Sequence, residues 1–247
     1  MGMKREPRPL AKIIACTDGA SNRFYAMDVL YISGGNSKMT RRLTVNPENP
    51  ESDVIQEVIN VIRSGGIVIL PTDTAYGLAG NPAEATIVNR VLEIKERTDK
   101  PGMPLLVGNI AQALFIGKFT PVAQTLASHF WPGALTLIVP GRRSFPPGVS
   151  GPDRSLALRM PHHPVTIAVI HSLGYPIIGT SANKSELPSP RTADAAATQV
   201  GSLVDLIIDA GPTHHEADST IVNCTVEPLE IIREGAIRAT ELDPFFT

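Results

Sequence analysis

The stretch "SDVIQEVINVIRSGGIVILP" (residues 52–71) constrains the fold more than any other part of the chain. Val54, Ile55, Val58, Ile59 and Ile62 recur at helical spacing and form one apolar stripe. Ser52 stands where a cap is expected, and Gly65 where a helix stops. Ile67 to Leu70 then run without a polar interruption, which predicts a buried strand. The strand runs into Pro71 and a polar cluster, "TDTAYG". A core strand that ends in such a cluster delivers those side chains somewhere, and the rest of the chain says where.

The same alternation continues to the C-terminal end. "NPAEATIVNRVLEIKER" predicts a helix with Asn81 as cap, Pro82 at the first position and Glu84 three residues after the cap. "MPLLVG" reads as a strand, and "TPVAQTLASHFW" as a helix opened by Thr120 and Pro121. "ALTLIVP" and "SLALRMP" read as strands, "HPVTIAVIHSLG" as a helix ending at Gly174, "PIIG" as a short strand and "ADAAATQVG" as a small helix. "LVDLIID", "STIVNC" and "LEIIR" read as further strands. Strands alternating with helices place the chain in the α/β class, with a mixed and largely buried sheet. The segment 140–153, rich in proline and glycine, predicts a long loop between strands.

Residues 1–38 differ from the remainder. They carry six Lys or Arg against three Asp or Glu, whereas the rest carries 16 basic and 21 acidic residues. The expectation is an N-terminal extension over 1–38, disordered or preceding the true start, and one domain over 39–247. The overall charge of −2 excludes a global nucleic-acid signature. Two distant cysteines, Cys16 and Cys224, make neither a disulfide framework nor a zinc site. No apolar run is long enough to span a bilayer, and the leader lacks the pattern of a secretory signal. These readings predict a cytoplasmic protein with no membrane partner.

Familiar nucleotide and hydrolase motifs are missing: there is no P-loop, no Rossmann fingerprint and no nucleophile elbow. "PHHP" and "THHEAD" lack metal-ligand spacing. What remains is four polar clusters at strand or helix ends: "PTDTAYG", "KERTDK", "GTSANKS" and "ADST". Open α/β sheets bind ligands beyond the carboxyl ends of their strands. Lys95, Arg97 and Lys100 supply the positive charge that suits phosphates. Lys95 and Arg97, two apart, diverge by about 200° on a regular helix, so they converge only if the helix frays there or the ligand is wrapped. Hydroxyls and amides on the other clusters suit a small polar ligand. The residues therefore predict a nucleotide or phosphorylated substrate beside a small polar one.

In this order, "PTDTAYGL", "KER", "FWPGALTL", "LALRMPHHP", "TSAN", "LPSP", "DSTIV" and "IIREGAI" resemble the YrdC/TsaC family of threonylcarbamoyl-adenylate synthases. The likeness covers roughly residues 42 to 237. It implies a twisted mixed β-sheet flanked by helices, with a deep positively charged cavity. It implies formation of threonylcarbamoyl-AMP and pyrophosphate from L-threonine, bicarbonate and ATP, with magnesium held mainly by the ATP phosphates. Partner proteins then transfer the group to tRNA. The alternative that the resemblance carries is a module binding tRNA or double-stranded RNA without turnover.

Residue by residue, the resemblance implies threonine contacts from Thr74, Arg159, Gly179 and Ser219. It implies ATP contacts from Lys95, Arg97, Lys100, Ser155, Ser181, Asn183, Ser189 and Arg233. Lys95, Arg97, Ser181 and Asn183 carry catalysis in that reading. The family often places a basic or amide residue six positions after the first lysine of its K-x-R motif. Here Pro101 stands there, with Lys100 one earlier.

Overall fold

A computed structural model describes residues 12–13, 27–30, 40–97 and 102–246. Strands β1 (Lys12–Ile13), β2 (Met27–Leu30) and β3 (Thr40–Thr44) come first. Helix α1 (Ser52–Arg63), strands β4 (Val68–Pro71) and β5 (Tyr76–Ala79) and helix α2 (Ala85–Ile94) follow. Next are β6 (Leu105–Leu106), α3 (Ile110–Ile116), α4 (Pro121–Phe130), β7 (Leu135–Pro140), β8 (Ser155–Arg159) and α5 (Pro164–Leu173). The chain continues through β9 (Ile177–Ile178), β10 (Thr180–Ser181), α6 (Ala193–Val200), β11 (Leu206–Asp209), β12 (Thr220–Asn223), β13 (Glu230–Arg233) and α7 (Ala239–Leu242).

The strands form two mixed sheets rather than one. A seven-stranded sheet has the order β1-β2-β3-β11-β4-β5-β10, and a six-stranded sheet the order β13-β12-β7-β8-β6-β9. In the first, β11 runs parallel to both β3 and β4, while β5 pairs antiparallel with β4 and β10. In the second, β12–β7 and β6–β8 are parallel and the remaining pairs antiparallel. The strands β1 and β2, which fall within the predicted extension, extend the first sheet through β3.

The aliphatic run of β4 is buried on both faces, because successive side chains of a strand point to opposite sides. Val68 and Leu70 join a core with Val54, Val58, Ile62, Val165 and Val169 from α1 and α5. Ile67 and Ile69 face the other way, into a larger core with Leu105, Leu135, Leu137 and Leu158 of the second sheet. β11 divides in the same manner, with Leu206 and Ile208 on one side and Ile207 on the other. A strand covered on both faces has no polar face to alternate, which is why "IVIL" carries no period.

Helix boundaries depart from the sequence reading at two starts. Glu51, not Ser52, is the cap of α1. α2 begins after Glu84 rather than after Asn81. The Asn81 side chain accepts a hydrogen bond from the Ala83 N–H at 3.1 Å and donates to Glu84 at 2.7 Å. That local turn competes with helix and delays it. The helix α3, capped by Asn109 accepting from the Gln112 N–H, was not among the predicted elements.

Candidate active site

β4 and β5 are joined by a turn built around Thr72. Its hydroxyl donates to the Ala75 carbonyl at 2.6 Å and accepts from the Thr74 and Ala75 N–H groups at 3.2 and 3.1 Å. These bonds hold the turn in shape and aim Thr74. The Thr74 hydroxyl accepts from Arg159 Nη1 at 2.7 Å. The Thr74 carbonyl accepts from Arg191 and from the Thr213 hydroxyl. Tyr76 is turned away from this contact set: its hydroxyl donates to the Gly211 carbonyl at 2.6 Å and accepts from the Ala210 N–H at 3.1 Å. Burial pushes the Tyr76 hydroxyl up to about 12.

Arg159 ends β8, where "SLAL" brings it through the core with 6% of its surface exposed. Nη2 donates to Asp73 Oδ1 at 2.6 Å, and Nε to the Gly133 carbonyl at 2.9 Å. A guanidinium has five N–H donors, so these bonds and the one to Thr74 leave two free for a ligand. Asp73 Oδ1 also accepts from the His162 N–H at 3.0 Å. Desolvation lowers the Arg159 pKa, and the Asp73 charge opposes that.

The break after α2 brings Lys95 and Arg97 together. Helical geometry stops at Ile94, and Glu96 takes a positive φ of 50°. The Glu96 N–H donates to the Glu93 carbonyl at 2.9 Å and the Arg97 N–H to the Leu92 carbonyl at 3.0 Å. This is the Schellman ending, here with glutamate where glycine is usual. It abolishes the divergence of a continuous helix, and both cations line one cavity. Lys95 Nζ donates to the Ser181 carbonyl at 2.8 Å, the Ser181 hydroxyl at 3.3 Å and Asn183 Oδ1 at 2.9 Å. All three acceptors are neutral. Burial, followed by the nearby Arg97 charge, lowers Lys95 to about 8. Arg97 Nε is buried with no hydrogen-bond partner among the described residues.

The cavity has a volume of about 220 Å³. Thr74, Lys95, Arg97, Arg159, Gly179, Ser181, Ser219 and Arg233 all line it, so the structure brings these predicted residues into one place. Gly179 is required by close approach: a Cβ there would lie 2.3 Å from Leu106 Cγ. Ser219 exchanges a hydroxyl hydrogen bond of 2.9 Å with Thr136, and its carbonyl accepts from Arg233 Nε and Nη2 at 3.1 and 2.8 Å.

Three predicted residues are not among the described lining. Asn183 stands behind Lys95, as its acceptor. Ser189 donates to Asp218 Oδ2 at 3.0 Å. Ser155 opens β8, paired with Pro140, at the other end of the strand from Arg159. Four strand steps separate the two by about 13 Å. Lys100 lies outside the described residues.

The structure adds residues that the sequence reading left unassigned. Asp218, one of four residues in the "ADST" turn, is a lining carboxylate. Arg191 Nη2 reaches it at 3.1 Å while Nη1 holds the Thr74 carbonyl, so Arg191 ties two walls together. Thr136 is the hydroxyl within "ALTLIV", a break in an aliphatic strand that marked an inward polar position. Nothing in "PSPRTAD" distinguished Arg191 from an ordinary loop residue.

Comparison with known proteins decides the family. A family model named Sua5/yciO/yrdC, described as telomere recombination, matches residues 60–235. The chain belongs to the Sua5/YciO/YrdC family. It is 33% identical over 191 residues to the threonylcarbamoyl-AMP synthase of Bacillus subtilis, covering 76% of this chain and 55% of that protein. It is 32% identical over 197 residues to the threonylcarbamoyl-AMP synthase of Pyrococcus abyssi, covering 79% of this chain and 58% of that one. The chain thus spans just over half the length of these curated relatives.

Among solved structures of the Sua5/YciO/YrdC family, P. abyssi Sua5 complexed with L-threonine superposes with a TM-score of 0.78 at 32% identity. That match covers 83% of this chain and 60% of the other. Escherichia coli YciO shares the fold at a TM-score of 0.74 and 24% identity, covering 84% of this chain and 100% of that one. The two mixed sheets with flanking helices are therefore the architecture of this family.

Proposed function

We propose that the chain is an L-threonylcarbamoyladenylate synthase, a nucleotidyltransferase using L-threonine, bicarbonate and ATP. One observation carries the reading. A single cavity holds a carboxylate clamp, Arg159 with Thr74, together with two cations, Lys95 and Arg97, that have no ion-pair partner among the described residues. A buried cation held only by neutral acceptors is poised for an anion. The described lining carries four cationic side chains, Lys95, Arg97, Arg159 and Arg233, against the carboxylate of Asp218. The threonine-bound state of P. abyssi Sua5 and the names of the curated relatives support the same reading.

The chemistry needs no side-chain nucleophile. The threonine ammonium first gives up a proton, and the neutral amine then adds to the carbon of carbon dioxide with loss of a second proton, or to that of bicarbonate with loss of water, giving a carbamate. A carbamate oxygen then bonds to the α-phosphorus of ATP, and the bond to the β-phosphate oxygen breaks, releasing pyrophosphate. Arg159 and Thr74 orient the amino acid. Lys95, Arg97 and Arg233 take up the charge on the phosphates. Catalysis is positioning and electrostatic stabilisation. Ser181 and Asn183 fix the Lys95 ammonium by hydrogen bonds at 2.8, 3.3 and 2.9 Å.

Among the described residues no cluster of His, Cys, Asp or Glu is arranged to hold a metal ion. Cationic side chains that meet the ATP phosphates leave magnesium, which arrives on ATP, to take its ligands from phosphates and waters. Bound with ATP, magnesium adds positive charge at the phosphates. Among the described residues no helix is long and apolar enough to cross a membrane.

The test is pyrophosphate release with labelled ATP. Release that requires both threonine and bicarbonate supports the reading. Release indifferent to threonine overturns it.

A further inference from the structure

We propose that Asp218 receives the α-ammonium group of the amino-acid substrate and makes the site select an amino acid over the matching hydroxy acid. This rests on the proposed function and assigns an end of the substrate that Arg159 and Thr74 leave unserved. A free amino acid carries two charges. Its carboxylate has a clamp, but its ammonium needs an acceptor, preferably an anionic one.

The acceptors around the cavity can be followed one at a time. The Ser181 carbonyl is occupied by Lys95 at 2.8 Å. The Ser219 carbonyl is taken twice by Arg233, at 3.1 and 2.8 Å. The Thr74 carbonyl is held by Arg191, and the Thr74 hydroxyl accepts from Arg159 at 2.7 Å. Each of these oxygens is neutral and already carries a cationic donor, so none offsets the charge of a second cation. Asp218 is the one carboxylate among the described lining residues.

Asp218 is also held in place and left partly open. Oδ1 accepts from Arg191 Nη2 at 3.1 Å, Oδ2 accepts from the Ser189 hydroxyl at 3.0 Å, and Arg233 Nη1 lies at 3.7 Å. A carboxylate offers about four lone-pair sites, so these two hydrogen bonds leave room for a ligand. One third of the side chain, 33%, is exposed. Arg191 bridges it to the Thr74 carbonyl, and Ser219, the next residue in the chain, also lines the cavity, so Asp218 stands on the wall beside the carboxylate clamp of Thr74 and Arg159. The α-nitrogen and the carboxylate share one carbon, so a substrate clamped on Arg159 carries its nitrogen at that end of the cavity. Ser189 and Arg191 then act through Asp218, as positioning residues.

The experiment compares two ligands by ligand-observed NMR titration. L-threonine and (3R)-3-hydroxybutanoate share the carboxylate and the hydroxyl and differ in the amino group. The wild-type chain is expected to favour threonine by about tenfold or more, the worth of a charged hydrogen bond. Asp218→Asn is expected to lose most of that preference while keeping its affinity for 3-hydroxybutanoate, which also shows that the variant is folded. Equal losses for both ligands overturn the inference, because they make Asp218 only a holder of Arg191 and Arg233. A wild-type chain that binds both ligands equally overturns it without recourse to the variant. A wild-type chain that binds 3-hydroxybutanoate but not threonine does the same. No binding of either ligand by the wild type overturns the proposed function itself, and the inference with it.

Discussion

The Asp73 carboxylate holds the Arg159 guanidinium at 2.6 Å, and both side chains are buried. The pair joins the turn after β4 to the end of β8, across the two sheets. Removing the carboxylate strands a buried cation, a change that typically costs about 3–5 kcal/mol. Asp73→Ala is therefore expected to lose stability on that scale in urea unfolding. It also frees Arg159 to swing from Thr74, so the variant should bind threonine more weakly. Near-wild-type stability with unchanged threonine affinity would show the pair to be incidental.

Lys95 links affinity to pH. Burial first, and the Arg97 charge second, lower it to about 8, with Asp218 opposing. The unfolded chain keeps its proton up to the ordinary lysine value of 10.5. Between these values the unfolded state binds more protons, so the stability of the unliganded protein rises with pH through that window. Phosphates favour the charged form, so nucleotide binding above pH 8 takes up a proton and affinity falls as pH rises. Calorimetry in buffers of differing ionisation enthalpy, between about pH 7 and about pH 9.5, reads both the uptake and the slope. Lys95→Ala should bind more weakly and lose the slope. Persistence of the slope in that variant would assign it to another group.

Arg97 separates catalysis from folding. Its Nε is buried without a partner among the described residues, and desolvation lowers its pKa. An arginine in that position contributes little to stability and much to a developing phosphate charge. Arg97→Ala should therefore lower turnover by about 100-fold, as loss of an electrostatic stabiliser does, while thermal unfolding shifts little. A variant that fails to fold instead would make Arg97 structural.

Much of this was legible in the residues, and the reason differs by element. The stripe of α1 and the aliphatic run of β4 were readable because burial imposes a period on a helix and removes it from a strand covered on both sides. The second sheet was not readable, because nothing in "SLALRMP" or "STIVNC" states which strands are its neighbours. Thr74 and Arg159 stood out as polar groups at the ends of apolar runs. Asp73 did not, since a carboxylate in a turn is ordinary until its buried partner is known. Asn183 and Ser189 stand in the motifs that mark the site, and each holds another side chain that lines the cavity. Motif spacing marks a site without separating the residues that touch a ligand from those that aim them. The convergence of Lys95 and Arg97 hung on a single dihedral at Glu96, which no periodicity reveals.

That dihedral supplies the last prediction. Glu96 has a φ of 50° at the position where a Schellman ending usually has glycine. A non-glycine residue there carries strain of about 1–2 kcal/mol. The Glu96 side chain offsets little of it, because its 2.6 Å ion pair with Lys184 is 61% exposed on the glutamate side. Exposed pairs of that kind are worth about 1 kcal/mol or less. Glu96→Gly should therefore match the wild type in thermal stability or exceed it slightly, with turnover retained. Glu96→Val places a β-branched residue at positive φ, where it is most strained. The turn then opens, Lys95 and Arg97 diverge, and turnover should fall by more than the loss of stability accounts for. Measuring unfolding and pyrophosphate release on both variants separates the two effects. If Glu96→Val turns over like the wild type, the reversed dihedral is not what brings the two cations onto one ligand.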